Sequence, residues 1–294
     1  MHPFTRVVLY ARQYRSNPYV SETLHHLKDY LLSLKTEVGC DLETSTYFTD
    51  LKIPILTMKD FKTESDLIIV VGGDGSLLGA AQMAVQANLP IVGINRGRLG
   101  FLTDIAPDDI EKKLPDILQG HYIEEHRSLI HAMITGEQGS LTEEEALNDI
   151  VLTQGAVSHM IEFDVYIDAL FVSHYRADGL IIATPTGSTA YALSAGGPIL
   201  HPDLQAVVLV PMFPHTLSSR PIVLDLQSTI EIKFPLYNLS PLQLSFDGRA
   251  RKDLPPGHSI QITKKDKPLR LLHPLGYNYY KTLRSKLGWE RKAV

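Results

Sequence analysis

The apolar positions follow two rhythms, and the change comes near His121. Before it, short unbroken apolar runs alternate with segments of helical spacing. Val7-Val8-Leu9-Tyr10 and Leu67-Ile68-Ile69-Val70-Val71 read as buried strands, the second β-branched and short enough to be parallel and covered on both faces. From Val20 the apolar residues recur at Leu24, Leu27, Leu31, Leu34 and Val38, in steps of three and four that mark one face of an amphipathic helix. A polar stretch follows, up to Leu67. Ser76 to Asn88 reads as a helix, Pro90 to Asn95 as the next strand and Asp108 to Gln119 as a short helix. The alternation predicts a parallel sheet with covering helices. Beyond His121 the period becomes two. Ile161, Phe163, Val165 and Ile167 alternate with Glu162, Asp164, Tyr166 and Asp168. Ile230, Ile232 and Phe234 repeat this, as do Leu242, Leu244 and Phe246, then Ile260 and Ile262. Such strands have one wet face, and Asp247-Gly248 and Pro255-Pro256-Gly257 are turns between them. Tyr277 to Trp289 reads as a helix again. It is expected to return to the first domain, since an isolated helix has nothing to bury against. The boundaries predicted are an α/β domain over 1–127, a β-rich domain over 128–272, and a helical segment over 273–294 packed back on the first.

Composition narrows the class of partner. At 294 residues, 44% apolar and 21% charged, the chain has room for two domains and a sizeable core. A net charge of -5 argues against a nucleic-acid or anionic-membrane partner, either of which needs a basic face. Cys40 is the one cysteine, so no intrachain disulfide forms, as expected in a reducing cytosol. The first residues enter a strand-like run without the charged and apolar regions of a signal peptide, and no apolar run approaches the length of a membrane span. A cytoplasmic location is the expectation.

The chemistry gathers around Gly72-Gly73-Asp74-Gly75-Ser76, between the run ending at Val71 and the following helix. The glycines allow positive φ and close approach of a ligand to the backbone. A helix N-terminus presents free N–H groups and the positive end of its dipole, so strand, turn and helix together suit phosphate. Asp74 is out of place there unless it holds a metal ion or takes a proton. The plainer alternative is a tight turn whose Asp caps the helix. Other phosphate motifs are absent: no Gly-Lys pair occurs, so there is no Walker A loop, and Gly79 falls one residue too late for a dinucleotide fingerprint. No Cys or His set has zinc spacing, His25 and His26 being adjacent, and no G-x-S-x-G elbow occurs.

Asp178 to Pro198 is the second informative stretch. It starts as a strand, turns over Pro185 to Gly187 and continues as a helix capped by Ser188. Small residues at Ala190, Ala192, Ser194 and Ala195 would admit a flat ring, and the hydroxyls of Thr186, Ser188 and Thr189 can bond amide or ribose groups. A well-capped helix packed closely on a sheet would look the same. Asn148-Asp149 offers an amide and a carboxylate suited to a purine edge and a ribose diol, though the pair is also ordinary turn chemistry. Arg96 and Arg98 follow a strand and could meet phosphates, or lie on solvated surface.

Together these stretches resemble the NAD kinase family. Gly72-Gly73-Asp74-Gly75 matches its glycine–aspartate motif, and Asn95 to Asp104, with Leu99-Gly100-Phe101-Leu102, its next loop. Asn148-Asp149 falls where the family has Asn-Glu. Asp178 to Pro198 and Pro211-Met212-Phe213-Pro214-His215-Thr216-Leu217-Ser218 match two further blocks. Lipid kinases and phosphofructokinases share Gly-Gly-Asp-Gly, but not Thr184-Pro185-Thr186-Gly187-Ser188-Thr189-Ala190-Tyr191. The resemblance implies a Rossmann-like α/β domain, a β-rich domain of β-sandwich type, and NAD bound in the cleft between them. It implies phosphoryl transfer from ATP to the 2′-hydroxyl of the adenosine ribose of NAD, a divalent metal (magnesium or manganese), and a homodimer or homotetramer. It makes Asp74 catalytic and gives the NAD set as Gly75, Leu78, Phe101, Asn148, Asp149, Arg176, Asp178, Thr186, Thr189, Ala190, Tyr191, Ser194 and His215. Phosphate or ATP contacts fall to Gly72, Gly73, Gly75, Arg96 and Arg98, and no side chain is assigned to the metal. Two departures from the family pattern are Asp149, one methylene shorter than Glu, and Arg98, where Asn is common.

Overall fold

The computed structural model describes residues 4–12, 18–48, 50, 52–97, 100–136, 141–154, 160–235, 242–254 and 257–289. The chain divides into two compact units, Met1–His126 with Leu269–Val294, and Arg127–Pro268.

In the first unit the elements run β1 (Arg6–Tyr10), α1 (Pro18–Ser33), β2 (Glu37–Cys40), α2 (Leu42–Ser45), α3 (Met58–Glu64), β3 (Leu67–Gly72), α4 (Asp74–Ala87), β4 (Ile91–Asn95), α5 (Ile110–Leu118) and β5 (Ile123–Arg127). Far along the chain, β18 (Leu269–His273) and α7 (Tyr279–Leu287) complete it. The sheet order is β2-β1-β3-β4-β18-β5, and each pair from β2 to β18 is parallel. Every residue of β3 and β4 is buried, which is why these strands read as continuous apolar runs rather than alternating ones.

The expected α/β plus β class is observed, with local corrections. The periodic run from Val20 does not stay helical. α1 ends at Ser33, Leu34 is 44% exposed and Val38 belongs to β2. Lys35, at φ 61°, breaks the helix, and a short buried strand continues the three–four spacing by coincidence. The helix placed over Ser76–Asn88 begins two residues earlier, at Asp74, and closes on Asn88 in the left-handed conformation. The segment over Asp108–Gln119 opens as a 3-10 turn at Pro107–Asp109 before α5. Residues 269–272, read from sequence as part of the β-rich domain, form β18 in the first unit's sheet.

The second unit contains β6 (Ile130–Thr135), β7 (Leu141–Ala146), β8 (Asp149–Thr153), β9 (Ile161–Ile167), β10 (Leu170–Ala177), β11 (Gly179–Ala183), α6 (Tyr191–Ser194), β12 (Ala206–Met212), β13 (Ile222–Asp225), β14 (Ile230–Lys233), β15 (Leu242–Phe246), β16 (Ala250–Leu254) and β17 (Ser259–Lys264). They build two sheets, β10-β9-β14-β17-β6-β7 and β13-β12-β11-β8-β15-β16, with antiparallel neighbours. Phe163, Val165, Ile232 and Ile262 of the first sheet share one core with Leu152, Ile182, Leu209 and Leu244 of the second. The second sheet is covered on its other face as well, where Val151, Ile181, Val208 and Val210 pack with Ala192 and Leu200. β11 and β12 are therefore buried on both sides and lack alternation, whereas β9 and β17 alternate.

Candidate functional site

The glycine turn sits where β3 runs into α4. Gly73 is the N-cap residue of the helix and Asp74 its first residue. Only Gly72 of the three glycines has a positive φ, 153°, and a Cβ there would strike Ser76 Oγ at 2.2 Å. A Cβ on Gly73 or Gly75 would meet nothing within 4 Å, so their surface is open to a ligand. Asp74 does not cap α4. Its carboxylate turns to the loop after β4, where Oδ2 accepts from Phe101 N (2.9 Å) and Oδ1 from Leu102 N (3.0 Å) and Thr103 Oγ1 (3.3 Å). Phe101 lies beside Tyr279 of α7, ring centroids 6.5 Å apart, with Lys286 Nζ 5.6 Å from its centroid. Leu78, one turn along α4, is half-buried. Arg96 reaches back to α1: Nε donates to Tyr19 O (2.8 Å) and Nη2 pairs with Glu22 (3.2 Å), while its backbone N–H donates to Gly72 O (2.9 Å). Arg98 lies outside the described residues.

The second unit carries an open pocket of about 460 Å³ lined by Asn148, Asp149, Val151, Thr153, Ala190, Tyr191, Gln243, Ser245, Asp247 and Gly248. Asn148, Asp149, Ala190 and Tyr191 therefore line one pocket. The floor of the pocket is a carboxylate clamp. Asp247 Oδ1 accepts from Asn148 N (2.7 Å) and Asp149 N (3.2 Å), and Oδ2 from Leu147 N (3.0 Å). Asn148 Oδ1 is buried with no hydrogen-bond partner among the described residues, an acceptor left for a ligand donor. Asp149 is 4% exposed. Burial, with the charge of Asp247 as a lesser cause, pushes its carboxyl up to about 7. Burial also raises Asp247, against the pull of its three backbone donors and Arg249.

The Asp149 shift sets a sign. The folded state favours the protonated carboxyl, so stability is lost as pH rises from near 3.8 to about 7. Asp149→Asn, neutral throughout, should leave stability near that of the parent at pH 4 and raise it by roughly 2–4 kcal/mol at pH 8. Denaturant titration at the two pH values checks this, and equal effects at both would remove the buried charge as the cause.

Of the remaining NAD-set residues, Arg176 lies on β10 of the unit's first sheet, Asp178 between β10 and β11, and the others beyond β11 or β12 of its second. Thr186 is buried, and Thr189 Oγ1 donates to its carbonyl (3.1 Å). Tyr191 is 47% exposed, and Ser194 is exposed too. Arg176, Asp178 and His215 are exposed, and His215 N donates to Arg176 O (2.9 Å). Ser188 is not a helix cap. It is fully buried, its Oγ donating to Pro185 O (2.6 Å) and accepting from Leu200 N (2.9 Å), and the segment forms a 3-10 turn followed by the short α6. A buried tie and a cap use the same hydroxyl chemistry, so sequence does not separate them. Sequence reasoning passed over Asp247, Gln243 and Ser245. The Asp247-Gly248 spacing predicts only a turn, which it is, with Asp247 at φ 51°.

With this geometry in view, the chain's likenesses decide its family. Residues 33–122 match the ATP-NAD kinase N-terminal domain and residues 147–273 the ATP-NAD kinase C-terminal domain. This chain belongs to the NAD kinase family. It is 55% identical over 289 residues to an NAD kinase of Legionella pneumophila, covering 98% of each chain. It is 52% identical over 292 residues to one of Coxiella burnetii, covering 99% of this chain and 96% of the relative. Among solved structures it resembles yeast NADH kinase complexed with NADH (TM-score 0.89, 26% identity, 100% of this chain and 90% of that one). It also resembles an NAD kinase of Archaeoglobus fulgidus in complex with ATP (TM-score 0.71, 25% identity, 95% of this chain and 99% of that one).

Proposed function

We propose that this NAD kinase transfers the γ-phosphoryl group of ATP to the 2′-hydroxyl of the adenosine ribose of NAD, giving NADP. The observation that carries the reading is Asp74, a carboxylate in a glycine turn oriented by three donors outside its own helix. A ribose hydroxyl is a weak nucleophile at neutral pH, and a positioned carboxylate that takes its proton lowers the barrier. Gly72, Gly73 and Gly75, with the first N–H groups of α4, offer the positive end of a helix to phosphate oxygens, and Arg98 adds charge, as Arg96 would on leaving Glu22. In the second unit Asn148, Asp149 and Asp178 hold ribose and base groups, and Thr186, Thr189, Ala190, Tyr191 and Ser194 cradle the adenine end. Gly75, Leu78, Phe101, Arg176 and His215 complete the NAD set. Asp149 is one methylene shorter than the family's Glu, and the Asp247 clamp holds its backbone N–H in the pocket wall. The yeast and archaeal neighbours, solved with NADH and with ATP, support both substrates.

A divalent ion, magnesium or manganese, belongs to this reading. Among the described residues no group of three or more His, Cys, Asp or Glu side chains gathers to hold one. Magnesium would come carried on the triphosphate, and no described side chain is assigned to it. The ion would neutralise charge on the transferred group. We further propose a cytoplasmic homodimer or homotetramer without nucleic-acid or membrane partners. No described helix is long and apolar enough to cross a membrane. Incubation with NAD, ATP and magnesium or manganese should yield NADP, read by a coupled assay. Its absence with either metal would sink the reading.

A further inference from the structure

Both oxygens of Asp74 are engaged, but unequally. Oδ1 takes two donors, Leu102 N at 3.0 Å and Thr103 Oγ1 at 3.3 Å. Among the described residues Oδ2 takes one, Phe101 N at 2.9 Å. A carboxylate oxygen accepts about two hydrogen bonds, so Oδ1 is filled and Oδ2 keeps a free lone pair. Two of these donors are backbone groups that any residue would supply. The third is the hydroxyl of Thr103, a residue that is fully buried.

The surroundings are shaped to put that hydroxyl there. Gly93 of β4 clears its seat: a Cβ on Gly93 would lie 2.6 Å from Thr103 Cγ2 and 2.9 Å from Thr103 Cα. Asn95 pins the backbone, its Nδ2 donating to Thr103 O (3.1 Å) and its Oδ1 accepting from Gly97 N (2.7 Å). Gly100 N donates to the same Thr103 carbonyl (3.2 Å). A Cβ on Gly100 would stand 2.0 Å from Asp74 Oδ1 and 2.5 Å from Thr103 Oγ1, so the carboxylate and hydroxyl occupy the space a side chain would take. The loop end is closed by a bridge between Ile94 and Ile105.

We propose that Thr103 is a positioning residue for Asp74: its hydroxyl fills Oδ1 and so leaves Oδ2 as the oxygen that takes the ribose proton. The inference rests on the reaction proposed above. In the step, the 2′ O–H bond breaks and its proton passes to Oδ2. The hydroxyl oxygen forms its bond to the γ-phosphorus, and the bond from that phosphorus to the β,γ-bridging oxygen breaks with its electron pair leaving on ADP. Thr103 touches none of the reacting atoms. Its donor stabilises the carboxylate and holds it in one rotamer.

The test compares Thr103→Val, which exchanges the hydroxyl for a methyl of similar size, with Thr103→Ser, which restores it. In full-length protein with NAD, ATP and magnesium, Thr103→Val should lower kcat about 10–100-fold, the range for a hydrogen bond to a charged group, with the KM for NAD within about twofold of the parent. Thr103→Ser should restore kcat. A purely structural role would lower the amount of folded enzyme and leave kcat per folded molecule unchanged. If Thr103→Val does not fold, Gly100→Ala gives the second measurement, since its Cβ must displace Oδ1, and kcat should again fall at unchanged NAD KM. A parent-like kcat in whichever variant folds, or no recovery in Thr103→Ser, would overturn the proposal. A parent enzyme that forms no NADP would overturn the reaction reading and this proposal with it. Normal parent turnover with an indifferent Thr103→Val would overturn the proposal alone.

Discussion

Asp74→Asn is expected to abolish turnover and to spare NAD binding. Asn keeps the size of the side chain and one acceptor oxygen. That oxygen fits the Oδ1 position, where Leu102 N and Thr103 Oγ1 both donate. The amide nitrogen then takes the Oδ2 position against Phe101 N, one hydrogen bond is lost, and the atom that would accept the proton is a donor. Loss of a general base costs about 10²–10⁴-fold in rate, or ~2.7–5.5 kcal/mol of barrier. NAD affinity should change little, because the adenosine contacts proposed for Asn148, Asp149 and Thr186–Tyr191 are untouched. The measurements are kcat by NADP formation and Kd by calorimetry on the same folded protein. A near-normal kcat would remove Asp74 from the mechanism, and weak binding with normal kcat at saturation would give it a positioning role instead.

His273→Leu is expected to destabilise the first unit strongly. His273 ends β18, is fully buried, and lies between two carboxylates, Nδ1 at 3.0 Å from Asp104 and Nε2 at 3.1 Å from Glu125. Tyr277 stacks on its ring at 3.7 Å between centroids. Burial opposes the charged imidazole, yet the two carboxylates outweigh it and hold the pKa above the ordinary 6.5. The stabilisation is therefore complete below pH 6.5 and lost as pH rises through the raised folded value. Leucine would leave both carboxylates without this cation, at a cost of about 3–5 kcal/mol near pH 6. Asp104 also follows Thr103 directly, so the change should loosen the loop that orients Asp74. Denaturant titrations at pH 6 and pH 9 check this. The gap between parent and variant should narrow at the higher pH, and a gap that widens would refute a charged His273.

How far sequence alone could reach follows from the range of each contact. The strand, turn and helix around Asp74 were legible because the parts are contiguous and β3 is covered on both faces. The Asn148-Asp149 pair was legible by its type. What it rests on was not: Asp247 lies 98 residues beyond Asp149, and nothing near either residue advertises the clamp. His273 meets Asp104 across 169 residues and Asp74 meets Thr103 across 29, so the chemistry of both is visible only once the sheet is assembled. Val38 misled for the opposite reason. A local spacing persisted across a helix end that only the left-handed Lys35 marks.

The position of β18 also bears on how the polypeptide is made. Its strand lies between β4 and β5 in the first unit's sheet, yet it is encoded after the whole of Arg127–Pro268. Synthesis runs from the N-terminus, so the β-sandwich, contiguous in the message, can close as soon as it leaves the ribosome. The part translated first must wait with the edge of β4 unpaired until Leu269–His273 emerges. During that interval the bare edge of an apolar parallel strand is open to wrong partners.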